Sequence, residues 1–391
     1  MKKVLLVCAM VLIFGAIFAQ EDGIKGLKKE IQELKKKVSE NEKKIEATAD
    51  SIEDSGVKSG VAFGNTTLGG YGELHMNQLS GKEDGTSSKR EIDFHRFVLF
   101  VEHKFTDRIK LYSEFEIEHV IASKSDAGEV EIEQAFIDFE YINDHHVWGG
   151  LFLIPVGFLN ETHEPPTFYG VERNPVEKNI LPSTWWEAGA MFKGQITEEL
   201  SYDFGIHSGL NVGSGDSYKI RSGRQKVSKA SARAFASTGR ITYRPMAGFD
   251  LSLALHFQQD LTQKTEVESV SAFMFNLNVS YQHKGFGIKA LYAHWILDGD
   301  GPDAIGADTQ SGFYLEPSYR INDNWGVFAR YAMYNNAAGS NGGDSEKSQF
   351  NIGVNYWPHE KIVVKLDFED QFYENDSGER RGINLGIGYQ F

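Results

Sequence analysis

The chain has 391 residues but a single cysteine, Cys8, which lies in an apolar run near the amino terminus. The remainder can form neither disulfides nor thiolate metal sites. That run, Val4 to Phe18, is too short for a membrane-spanning helix, and no other segment reaches the ~18 consecutive apolar residues one needs. Mean hydropathy is only −0.37. Proline is also scarce, with nine residues, and five of them (Pro155, Pro165, Pro166, Pro175, Pro182) crowd into one short region. No G-x-S-x-G, H-E-x-x-H or paired-cysteine motif occurs, so the common hydrolase and zinc signatures are missing. The net charge is −15, and no nucleic-acid partner is expected.

What the chain does have is alternation. Ile383, Leu385, Ile387, Tyr389 and Phe391 are apolar, whereas Asn384, Gly386, Gly388 and Gln390 between them are small or polar. A strand has period two, so this stretch has one apolar and one polar face. Phe350, Ile352, Val354 and Tyr356 repeat the pattern, as do Leu251, Leu253, Leu255 and Phe257. The same reading along the chain predicts sixteen strands: 68–79, 90–105, 108–121, 129–142, 145–155, 185–196, 200–210, 233–244, 249–260, 271–283, 286–297, 312–321, 325–336, 348–358, 361–372 and 382–391. Tight connections (106–107, 322–324, 359–360) alternate with long ones (211–232, 261–270, 298–311).

Short turns on one side and long loops on the other characterise outer-membrane barrels, with the turns periplasmic. A barrel needs only one lipid-facing residue in two, which reconciles a membrane location with low hydropathy. The expected fold is all-β, a sixteen-stranded antiparallel transmembrane β-barrel over 68–391 with a short N-terminal coiled-coil helix. A soluble β-sandwich or β-helix would share the alternation. It would not account for the aromatic final strand or the alternating loop lengths. Phe105, Tyr141, Trp148, Tyr202, Tyr243, Phe249, Tyr281, Phe286, Tyr319, Trp325 and Tyr356 recur near the turn ends, as an interfacial girdle would.

The amino terminus fits export. Lys2 and Lys3 precede the apolar run, which ends at Ala19, so residues 1–19 read as a signal peptide. Ile24, Ile31, Val38, Ile45 and Ile52 then recur every seven residues, with Leu27, Leu34, Asn41 and Thr48 between them. This heptad pattern predicts a periplasmic coiled-coil helix over 20–54, the alternative being a single amphipathic helix. Residues 55–67 read as a linker.

Charge in the strands points to a lumen. Glu114, Glu116 and Glu118 oppose Ile109, Leu111, Phe115 and Ile117, so they are expected on the lumen side, as is Arg240 opposite Ile241 and Tyr243. Lys219, Arg221, Arg224, Lys226, Lys229 and Arg233 cluster in or beside the fourth long loop, where solvated surface is the competing reading. The proline-rich third loop, 156–184, suits a rigid irregular segment rather than a wall. It supplies Glu161, Glu164, Glu172, Arg173, Glu177 and Lys178 as constriction candidates, a salt-bridged outer lid being the alternative. His145 and His146 adjoin a turn, and Asp298 to Asp303 lacks the bidentate glutamate spacing of a calcium loop, so no metal site, cofactor or catalytic residue is assigned.

The runs Pro155-Val156-Gly157-Phe158-Leu159-Asn160-Glu161, Glu164 to Asn174 and Ile180-Leu181-Pro182-Ser183-Thr184-Trp185 resemble the corresponding loop of the phosphate-selective porins O and P. The resemblance implies a trimeric barrel whose inward-folded third loop narrows a channel for small hydrophilic solutes. Charge departs from the phosphate-selective members: from Ser55 to Phe391 there are 30 Lys and Arg against 45 Asp and Glu. The expected function is a passive outer-membrane porin rather than an enzyme, with a tether between outer membrane and cell wall as the rival. Lipid, lipopolysaccharide, a homotrimer and, through the coiled coil, cell wall are the expected partners.

Overall fold

The computed structural model describes Lys35 and residues 60–125, 128–264, 268–343, 345–374 and 378–391. The signal peptide and, apart from Lys35, the heptad segment lie outside the described residues. Sixteen strands, β2 to β17, form one antiparallel meander that closes on itself. They are β2 Thr66–Gly81, β3 Lys89–Thr106, β4 Ile109–Glu118, β5 Val130–Ile142, β6 His145–Leu153, β7 Trp186–Thr197, β8 Leu200–His207 and β9 Ala236–Tyr243. The second half comprises β10 Phe249–Gln258, β11 Ser271–His283, β12 Phe286–Asp298, β13 Thr309–Arg320, β14 Trp325–Asn335, β15 Lys347–His359, β16 Ile362–Tyr373 and β17 Arg380–Gln390.

Closure runs from Arg380 opposite Gly81 to Gln390 opposite Tyr71. The final residue completes it: Phe391 and Gly70 exchange two backbone hydrogen bonds of 2.9 Å. Pairing every strand on both sides leaves no open edge among them, which a strand in hydrocarbon requires.

Face assignments follow the alternation. Leu253, Leu255 and Phe257 are exposed on the outer surface, whereas Ser252, Ala254, His256 and Gln258 are buried on the inner one. Leu253 lies opposite Ile241 on one neighbour and Leu277 on the other, so the outer face is an apolar belt. Phe105, Tyr141, Tyr243, Phe286, Tyr319 and Trp325 are exposed at the short-turn ends. Trp148 departs from the expected girdle. Its ring stacks 4.2 Å from that of Phe136, a buried inward residue, and the Lys193 ammonium sits 4.0 Å over it. The stacked ring and the cation hold it on the inner face.

One strand was not anticipated. Val61–Phe63, inside the expected linker, is β1 and pairs with Thr66 to Leu68 on β2. Three residues, followed by the turn at Gly64 with its φ of +62°, are too short a run for alternation to be visible.

Candidate functional site

The long connection between β6 and β7, residues 154–185, turns into the barrel. Asn160 fastens its neck. The side-chain amide donates to the carbonyls of Ile154 (2.7 Å) and Trp185 (2.9 Å), and its oxygen accepts from the Trp185 amide at 2.7 Å. One side chain therefore satisfies backbone groups at both ends, where strand pairing has stopped. Further in, Pro175–Asn179 forms helix α1, with proline in its first turn and the Asn174 side chain accepting from the Glu177 amide at 2.9 Å.

Glu177 ties the loop's two limbs together. Its carboxylate accepts from the amides of Phe158 (2.9 Å) and Leu159 (2.6 Å), from the Asn174 side chain (3.2 Å) and from the Tyr314 phenol (2.8 Å). Burial raises its pKa, which those hydrogen bonds partly offset. Gly157 is required beside it: its φ is +65°, and a Cβ there would lie 2.5 Å from the Glu177 carboxylate.

Inward side chains of β11, β12 and β14 to β16 grip the loop backbone. Lys365 on β16 donates to the Gly170 carbonyl (2.8 Å), Arg330 on β14 to that of Tyr169 (2.6 Å), and Trp295 on β12 to that of Ile180 (2.8 Å). Asn355 on β15 donates to the Phe168 carbonyl at 3.1 Å, and Asp367 on β16 accepts from the Val171 amide at 2.8 Å. Asn276 on β11 accepts from the Gly157 amide at 2.9 Å. The segment therefore crosses the interior, contacting opposite walls. Backbone groups that would be unsatisfied in a dry interior find partners this way.

The charged residues singled out from sequence have different surroundings. Glu161 pairs with Arg240 and, at 3.4 Å, with Lys193. Glu172 accepts from Asn77 (2.9 Å) and lies 3.4 Å from His75 and 3.7 Å from Lys89. Glu164 is buried, Arg173 is half-buried, and Lys178 is exposed. Glu177 is wholly buried and faces no open lumen. Arg240 faces inward and holds Asp203 at 2.8 Å.

Glu114, Glu116 and Glu118 share the inner face of β4, but the first two are only 1% and 0% exposed. His163 of the loop lies against Glu114 and Arg96 of β3 against Glu116, so less negative charge meets water than the count implies. Sequence cannot register this covering, because a strand reveals which face a side chain takes and not what lies over it. The basic fourth loop is likewise engaged. Arg221 donates to the carbonyls of Lys178 and Ser183, Arg224 to that of Thr184, and Lys226 pairs with Glu129 and Glu131. Burial, followed by the neighbouring Arg224, lowers the Arg221 pKa to about 9.

On the short-turn side a cavity of about 560 Å³ opens beneath the loop, between Phe168 and Tyr169 above and the turn 244–249. Lys289, Glu316, Arg320 and Asp250 give it both signs of charge. At ~30 Å³ per water it has room for more than a dozen.

A closed sixteen-stranded meander with its third long loop folded inside narrows the comparison. The solved structures it resembles include an anion-selective porin from Comamonas acidovorans, with a TM-score of 0.61, 13% identity, and coverage of 83% of this chain and 99% of that one. The fold is that of a porin. OmpT, an outer-membrane protein of Vibrio cholerae solved in a trimer form, matches with a TM-score of 0.54 and 11% identity over 84% of this chain and 100% of that one. Residues 189–377 match the model of the Gram-negative porin family. An uncharacterised protein of Aquifex aeolicus (strain VF5) is 29% identical over 348 residues, covering 82% of this chain and 77% of that one.

Proposed function

We propose that the chain is an outer-membrane porin, a water-filled channel for passive diffusion of small hydrophilic solutes and ions, narrowed by residues 156–184. The observation that carries this reading is the crossing loop, gripped from β11 to β16 by side chains directed at its carbonyls and amides. A solvated outer lid would have no use for such anchoring. The mixed charge of the cavity beneath the loop suits hydrated solutes better than an apolar ligand.

In this reading the signal peptide directs export, the heptad segment lies in the periplasm, and the barrel sits in the membrane as a homotrimer among lipid and lipopolysaccharide. The trimer form of the similar Vibrio protein supports that assembly. Even with Glu114 and Glu116 buried, the excess of 45 acidic over 30 basic residues in the barrel portion favours mild cation preference. The sequence resemblance of the loop to the phosphate-selective porins therefore does not make phosphate the solute in this reading. Conductance across a planar bilayer tests the reading. Stepwise ohmic openings support it, and a correctly folded barrel that leaves the bilayer silent overturns it.

A further inference from the structure

Where the third loop meets β4 and β5, three buried donor atoms converge. His163, on the loop, is 3% exposed, and Glu114 on β4 and Glu133 on β5 are each 1% exposed. His163 Nε2 lies 3.6 Å from Glu114 Oε1 and 3.6 Å from Glu133 Oε2. Those three atoms are buried and have no hydrogen-bond partner.

The other polar atom of each side chain is occupied. His163 Nδ1 donates to the Asn160 carbonyl at 3.2 Å, since a carbonyl only accepts. Glu114 Oε2 accepts from the Gln134 amide at 2.7 Å, and Glu133 Oε1 accepts from the Thr184 hydroxyl at 2.8 Å. The Nδ1 bond leaves the Nε2 lone pair facing two carboxylate oxygens. Three acceptors facing one another in a buried site repel unless a cation or a shared proton lies between them. Arg96 is already engaged by Glu73 at 2.8 Å and by Glu116 at 3.7 Å.

We propose that Glu114, Glu133 and His163 bind a divalent transition-metal cation, with zinc as the best fit, and that it clasps the loop to the barrel wall. A tetrahedral zinc with bonds of about 2.0–2.1 Å holds its donors about 3.3–3.4 Å apart. The 3.6 Å separations need only a small contraction. Imidazole nitrogen with two carboxylates suits zinc, cobalt or nickel, whereas calcium wants six to eight oxygens. The Asn160, Gln134 and Thr184 bonds orient the ligands as outer partners do in known sites. Asn160 also closes the loop neck, which couples the site to the path of the whole segment.

The test uses the full-length chain, folded in detergent and stripped with chelator, titrated with zinc chloride and with cobalt chloride. One zinc per chain, intense visible cobalt bands of a four-coordinate site, and indifference to excess magnesium are expected. Affinity should fall ~100-fold or more in His163→Gln and in Glu133→Gln, with folding verified by heat-modifiable gel migration. Failure of the folded wild type to bind a stoichiometric metal overturns the proposal, as does equal binding by folded His163→Gln. If neither variant folds, the wild-type stoichiometry and cobalt spectrum decide it alone.

Discussion

The phenol of Tyr314, on β13, donates a 2.8 Å hydrogen bond to the Glu177 carboxylate on the loop that crosses the barrel. The same carboxylate takes the amides of Phe158 and Leu159, so it joins wall, helix and the loop's first limb. Replacing Glu177 by Ala leaves these donors buried without partners, at ~1–3 kcal/mol each. The barrel should still fold, since its strand pairing does not involve this residue. Exchange at the Phe158 and Leu159 amides should accelerate at least ~10-fold. Unchanged protection at both amides would show that the carboxylate does not hold the loop.

Arg240 carries the expected effect on selectivity. It holds Glu161 and Asp203 together, with Lys193 sharing both carboxylates. Arg240→Gln removes one positive charge and exposes two negative ones, so potassium should gain over chloride in reversal-potential measurements. The gain should fade as ionic strength approaches 1 M, where the screening length is about 3 Å. A shift toward chloride, or one insensitive to salt, would rule out this electrostatic role.

The outer face is tested by depth. Leu253 lies between Ile241 and Leu277 in the apolar belt, whereas Tyr243 lies at the end of its strand. Leu253→Arg should destabilise the barrel in lipid by ~2–4 kcal/mol and Tyr243→Arg by ~0–1 kcal/mol, measured by reversible denaturant unfolding. Equal costs at the two positions would mean that Leu253 does not face hydrocarbon.

Much of this fold was legible because a wall strand obeys one local rule. The expected 271–283 is β11, and the remaining predicted bounds lie within three residues of those observed. Inward and outward faces around Leu253 and His256 also follow from parity alone. The interior was less legible. Glu114, Glu133 and His163 are separated by 19 and 30 residues in the chain, with no motif spacing, and meet only because the loop doubles back. The crowded prolines hinted at a stiff segment but not at its path, and nothing marked Asn160 as its fastening. Trp148 was misplaced because an aromatic near a turn fits a girdle and an inner stack equally well.

The most direct measurement is single-channel conductance of the wild type against a chain in which residues 156–184 are replaced by a short glycine-serine link. The account predicts discrete wild-type openings and a several-fold larger conductance once the crossing loop is removed, with weaker ion preference. Identical conductance and selectivity in the two folded proteins would contradict it, placing the loop outside the permeation path.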